Sequence, residues 1–125
     1  MIKGVGIDLV ENKRIKRLYD IYGLKFASKI LSQTELYEFH DVNNKINYLS
    51  KHFASKEALS KAVGIGLYRE GLSPKSIEII HTDTGKPYFK ENTILHNLMK
   101  KYFINSFSLS ISDTSNYSTA VVISE

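Results

Sequence analysis

The sequence predicts an α+β fold: a small antiparallel sheet packed on one long central helix and shorter helices. Three observations carry this. Ile2 to Val10 alternates with the period of two that marks a strand, Lys45 to Arg69 carries the 3.6 period of a helix, and Phe107 to Ile123 returns to strand alternation. At 125 residues the chain reads as one domain, residues 1-125, long enough to bury a core, and its 42% hydrophobic content is ordinary for a soluble protein.

In the first strand Val5, Ile7 and Leu9 share one face, and Gly4, Gly6 and Asp8 the other. Glycines on a strand face allow close approach of a backbone or a ligand. Asp8, at the strand's exit, is either a ligand for a hard cation or a cap for a turn or the next helix. Glu11 to Tyr22 is an amphipathic helix with Ile15, Leu18, Tyr19 and Tyr22 on one arc and a stop at Gly23. Its other side carries Lys13, Arg14, Lys16 and Arg17, a solvated face or a docking surface for acidic groups. Ser32 and Glu35 make a capping box, with Leu31 and Leu36 placed as a hydrophobic staple, so a second helix starts there. Asp41 to Asn47 is a polar connection.

On the central helix, steps of about 100° put Leu49, Phe53, Gly64 and Leu67 on one arc and Ala54, Ala58, Ala62 and Ile65 on a second. Tyr48, His52, Ser55 and Lys56 fall on the opposite flank, which is expected to be wet. Glu57 and Lys61, four apart, lie between the apolar arcs. An isolated buried charge is costly, so these two pair with each other, meet a metal or ligand, or face a second chain.

Gly71 to Pro74 breaks the pattern, and Ile77 to Ile80 resumes as a strand. Asp83, Thr84 and Gly85 are turn signals before a short Tyr88 to Phe89 strand, with Pro87 marking an edge. Glu91 to Tyr102 is helical. Phe107, Leu109 and Ile111 then alternate with serines, and Tyr117 to Ile123 forms the last strand across a turn at Asp113 to Asn116. The Gly4 to Gly6 pair lacks the rest of a dinucleotide fingerprint, and the Gly64 to Gly66 pair ends a helix instead of opening one.

The absence of cysteine excludes disulfides and thiolate catalysis, and no apolar run has the length of a membrane span or signal peptide. A cytoplasmic protein with no membrane partner is the expectation. Seventeen basic residues against thirteen acidic ones give +4, a modest bias toward nucleic acid, phosphates or an acidic protein. With no RNA-binding aromatic signature, zinc spacing or helix-turn-helix pattern, no nucleic acid is expected. The rival reading is a basic non-enzymatic module for nucleic acid or an acidic protein. It needs the Lys13 to Arg17 face but has no use for Asp8 and Glu57.

Four runs occur in one order: GVGIDLVENKRI at Gly4 to Ile15, FASKEALSKAVGIG at Phe53 to Gly66, DTGKPYF at Asp83 to Phe89, and SLSISDTSNYSTAVVI at Ser108 to Ile123. Together they resemble the holo-acyl-carrier-protein synthases, the short type of 4'-phosphopantetheinyl transferase, over nearly the whole chain. The resemblance implies transfer of the phosphopantetheine arm of coenzyme A to a serine of apo acyl carrier protein, releasing adenosine 3',5'-bisphosphate, in fatty acid biosynthesis. It implies a magnesium ion on Asp8 and Glu57, and makes Glu57 and Lys61 the catalytic candidates, Lys61 as a phosphate contact. It places the nucleotide near Gly64, Gly85, Lys86 and Pro87, although the turn holding the last three is equally a structural hairpin. Arg14 matches a carrier-contacting arginine, with Arg17 beside it, and the family's usual homotrimer has its sites between subunits. The proton acceptor stays open between Glu57 and a metal-bound water. Asp113 stands where many relatives have histidine and is given no binding role; Lys45, Lys51 and His52 are the alternatives for the nucleotide's phosphate.

Overall fold

The computed structural model describes residues 1–125. Its elements run β1 (Gly4–Glu11), α1 (Asn12–Tyr22), α2 (Leu24–Ile30), α3 (Gln33–Phe39), α4 (Lys45–Val63), a 3-10 turn (Pro74–Ser76), β2 (Ile79–His81), β3 (Pro87–Phe89), α5 (Thr93–Lys101), β4 (Phe107–Asp113) and β5 (Tyr117–Ser124). The chain's two ends make one sheet in the order β1-β5-β4, antiparallel throughout, with Gly6 opposite Val122 and Asp8 opposite Ala120. β2 and β3 form a separate hairpin. The sheet lies across α4, and Val10, Leu109, Ala120 and Val122 meet Ala54, Ala58 and Ala62 in the core.

The glycine face of β1 is the face of close approach, as its composition implies. Val5, Ile7 and Leu9 are 59%, 63% and 65% exposed, and the glycine face turns inward. The cause is steric. A Cβ at Gly6 would stand 2.7 Å from the Ala62 nitrogen and 2.9 Å from the Ala58 carbonyl carbon, and one at Gly4 would stand 3.2 Å from the Ala62 carbonyl carbon. Strand backbone therefore rests directly on helix backbone, which a side chain would prevent. Ser124 of β5 closes the same seam, its hydroxyl donating to the Ala62 carbonyl at 3.1 Å.

The flank of α4 expected to be wet is dry. Lys56 and Ser55 have no exposure and His52 has 6%. Lys56 donates to a Glu35 carboxylate oxygen at 2.5 Å and to the Ile30 carbonyl at 2.7 Å. Glu35 also accepts from the backbone N–H groups of Ser32 and Ile79, each at 2.8 Å. One buried ion pair thus ties α4 to the end of α2, the start of α3 and β2. Every polar atom in it finds a partner, and that is how two charges come to lie out of water. The Ser32–Glu35 capping box forms as the sequence implies, and its glutamate does this second job as well.

One boundary and one element also differ. α4 stops at Val63 rather than near Arg69, because Gly64 takes a left-handed φ of 93° and returns its N–H to the Ser60 carbonyl. α2 has no counterpart among the expected elements. It follows Gly23, which has no side chain to cap it, and spans seven residues. No helix is long and apolar enough to cross a membrane.

Candidate active site

Because β1 lies against α4, the Asp8 carboxylate arrives beside the last turn of that helix. Lys61 donates to an Asp8 oxygen at 3.2 Å and to the Ile7 carbonyl at 3.0 Å. It thus pairs with Asp8, and Glu57, the partner that helical spacing suggested, forms no ion pair. Glu57 stands one turn earlier and lines the same cleft as Asp8, of about 630 Å3. Burial pushes the Asp8 carboxyl above its ordinary range, against the opposing pull of Lys61 and Arg14. Glu57 is raised as well, first by burial and then by the negative charge of Asp8, with Lys61 pulling the other way.

The rest of the cleft comes from α1 and α2, with further residues of β1, α4 and β5. Arg14, Arg17 and Leu18 line it from α1, Phe26 from α2 and Phe53 from α4. The start of α1 is pinned by Asn12, whose side-chain nitrogen donates to the carbonyls of Thr114 and Ser115, both at 3.2 Å, and whose oxygen accepts from Ser118 at 2.8 Å. That anchor fixes the start of the helix whose Arg14 and Arg17 line the same cleft as the carboxylates. Phe26 is a site residue that periodicity missed along with α2; the available signal was the spacing of Phe26, Ala27 and Ile30, apolar at i, i+1 and i+4.

The donor set suits a hard cation. Two carboxylates, each short of solvation and one repelling the other, favour an added positive charge. No third aspartate, glutamate or histidine joins them. Such a pair matches magnesium, which keeps several waters and takes one or two carboxylates together with phosphate oxygens.

The remaining expected residues lie elsewhere. Gly64 is the exposed cap of α4. Gly85, Lys86 and Pro87 sit at the β2–β3 turn, where the Thr82 N–H donates to the Lys86 carbonyl and the Gly85 N–H to the Thr82 carbonyl, both at 2.9 Å, and Gly85 has a φ of 90°. None of the four lines the cleft. Asp113 accepts a hydrogen bond from Asn47, a structural role. Among the alternatives for a phosphate, His52 is buried, and Lys45 is spent on the carbonyls of Phe39 and Val42 at 3.1 and 3.2 Å, closing the end of α3.

With this geometry the chain matches a known class. The family model of the 4'-phosphopantetheinyl transferase superfamily covers residues 4–122, and the chain belongs to that superfamily. Within it, the similar proteins are holo-acyl-carrier-protein synthases. That of Nitrosospira multiformis is 44% identical over 125 residues, covering 100% of this chain and 99% of its own. That of Wigglesworthia glossinidia brevipalpis is 41% identical over 129 residues, covering 99% and 92%. The crystal structure of the Neisseria meningitidis enzyme superposes with a TM-score of 0.95 at 42% identity, covering 100% and 99%. The Helicobacter pylori enzyme, in complex with coenzyme A, gives 0.83 at 31% identity, covering 97% and 99%. The chain is accordingly an enzyme of this kind, and the expected α+β architecture is the architecture of these relatives.

Proposed function

We propose that this chain moves the 4'-phosphopantetheine arm of coenzyme A to a serine hydroxyl of apo acyl carrier protein, with a magnesium ion held by Asp8 and Glu57. We further propose that it works as one domain, 1-125, in the cytoplasm and serves fatty acid biosynthesis. The observation that carries the reading is the convergence of Asp8 and Glu57 on one cleft overhung by Arg14 and Arg17. A basic module that only bound nucleic acid or an acidic protein would gain nothing from two inward carboxylates.

The serine oxygen attacks the phosphorus that carries pantetheine, the bond from that phosphorus to the bisphosphate oxygen breaks, and adenosine 3',5'-bisphosphate departs. Magnesium, when bound, neutralises charge on the phosphate oxygens. Asp8 and Glu57 hold it, and Lys61, half-exposed at the cleft's edge, supplies a point charge to the same phosphates. The serine proton passes to Glu57, directly or through a water, because Glu57 lines the cleft and no lysine or arginine is paired with it. Arg14 and Arg17 meet the acidic carrier protein and orient its serine.

Gly64, Gly85, Lys86 and Pro87 serve the nucleotide in an assembly of three chains. What supports this is the stripe of Val5, Ile7 and Leu9, continued on β5 by the half-buried Val121 and Ile123. Apolar faces of this kind are covered by a partner, and a second copy brings its own hairpin to the neighbour's cleft. Intact-mass spectrometry after incubation with coenzyme A, magnesium and apo carrier protein tests the reaction: the carrier gains the arm. A folded enzyme that leaves the carrier unmodified, with a known synthase modifying it in parallel, refutes the proposal. Native mass spectrometry tests the assembly, with trimers expected and an Ile7→Asp variant reduced to monomers.

A further inference from the structure

Lys61 is the one side chain paired with Asp8, and its ammonium holds two acceptors of β1, the Asp8 carboxylate at 3.2 Å and the Ile7 carbonyl at 3.0 Å. Its own side chain is 50% exposed and that of Asp8 only 16%, so the mobile partner is the lysine. Glu57, on the same helix one turn away, has no counter-ion and feels the charge of Asp8. Arg14 adds its field at Asp8 from α1. A divalent cation that used both carboxylates would share Asp8 with an ammonium already in contact, and two like charges on one carboxylate repel strongly. A phosphate group entering the cleft offers that ammonium a second anion within reach of its flexible stem.

We propose that Lys61 is a resident counter-ion that occupies Asp8 until a phosphate-bearing donor draws it away, so that the chain takes up its divalent cation with coenzyme A and not ahead of it. The inference rests on the metal reading of Asp8 and Glu57. It makes Lys61 a coupling element: the same ammonium suppresses premature metal binding and then stabilises the phosphates. The pair would otherwise be only a tie between β1 and α4, and a tie that stays on Asp8 predicts that coenzyme A raises metal affinity equally in the native chain and in Lys61→Met.

The test is direct manganese binding, followed by the electron paramagnetic resonance signal of the free ion, with no carrier protein and no turnover. Without coenzyme A, Lys61→Met should bind manganese roughly tenfold more tightly than the native chain, since a neighbouring positive charge has gone and the stem remains. With coenzyme A present, and corrected for manganese bound by coenzyme A alone, the native affinity should rise severalfold more than that of Lys61→Met, so that the two converge; an equal rise in both overturns the inference. Equal or weaker binding by a folded Lys61→Met in the absence of coenzyme A overturns the inference. Asp8→Asn separates the two levels. If it removes the manganese site while Lys61→Met gives no gain, only the coupling fails; if manganese binds Asp8→Asn as it binds the native chain, the metal assignment fails and the coupling with it.

Discussion

Gly6→Ala tests the seam on which the site is built. The added methyl would lie 2.7 Å from the Ala62 nitrogen and 2.9 Å from the Ala58 carbonyl carbon, where ordinary contact begins near 3.4 Å. The Ala58 carbonyl oxygen lies nearer still, so β1 must retreat from α4 by roughly 1 Å or more, since these neighbours are helix backbone and none can swing aside. Overpacking of this sort costs about 1–3 kcal/mol, offset in part by the smaller unfolded-state entropy of alanine. Melting should fall by several degrees without loss of the fold. The larger effect is on turnover. Asp8 lies two residues along the same strand, and a displacement approaching 1 Å at a reacting centre costs on the order of a hundredfold. Transfer to carrier protein at saturating coenzyme A, measured by intact mass, should fall by roughly ten- to a hundredfold beside a modest change in melting. A folded Gly6→Ala with native turnover would refute the claim that strand-to-helix contact sets the position of Asp8.

Glu57→Gln should abolish most transfer while raising the melting temperature of the metal-free protein, because the charge it removes is one the fold disfavours. Magnesium added to the complex with coenzyme A should then raise the melting temperature of the native chain and leave that of the variant unmoved, which calorimetry reads directly. His52 is held neutral by burial, with a pKa lowered from 6.5 to about 4. The unfolded chain takes up this proton first, so stability is whole above pH 6.5 and declines as pH falls from there toward 4, by about 3 kcal/mol in all. Urea midpoints at pH 7 and 4.5 should converge in His52→Gln by comparison with the native chain. Charge reversal at Arg14 and Arg17 should raise KM for apo carrier protein, weaken its salt dependence and leave KM for coenzyme A nearly unchanged. Equal loss for both substrates would make α1 a nucleotide contact.

The elements that periodicity and capping govern were readable in order: the terminal strands, the Ser32–Glu35 box and the central helix. What local pattern misjudged was which side is wet. On β1 the glycine face was legible as one of close approach, and the inner place does go to Gly4 and Gly6, because only a bare backbone fits against Ala58 and Ala62; the misjudged side is on α4. Lys56 looks solvated by type, and the groups that let it be buried, Glu35 and the Ile30 carbonyl, lie 21 and 26 residues away. No window on one helix contains them. At the site, the four-residue spacing of Glu57 and Lys61 suggested a pair, but β1 delivers Asp8 to Lys61 from 53 positions earlier. Asp8, Glu57, Lys61 and Arg14 were named through the resemblance, which rests on contiguous motifs, and Asp8, Glu57 and Arg14 line one cleft with Lys61 paired to Asp8. Phe26 was not named, since its short helix lacks a capping side chain to announce it.

β1 is written in an even and odd code with no slack. Its even residues, Gly4, Gly6 and Asp8, face the helix and the cleft, while its odd residues, Val5, Ile7 and Leu9, face outward. Inserting or deleting a single residue before Asp8 would exchange the two sets at one stroke, driving branched side chains into helix backbone and turning the carboxylate away from Lys61. Substitutions here can be graded, but length changes cannot. In libraries that allow insertions and deletions and are screened for folding alone, this strand should tolerate loss or gain of residues only in pairs, whereas the β2–β3 turn, which no core element rests on, should accept either parity.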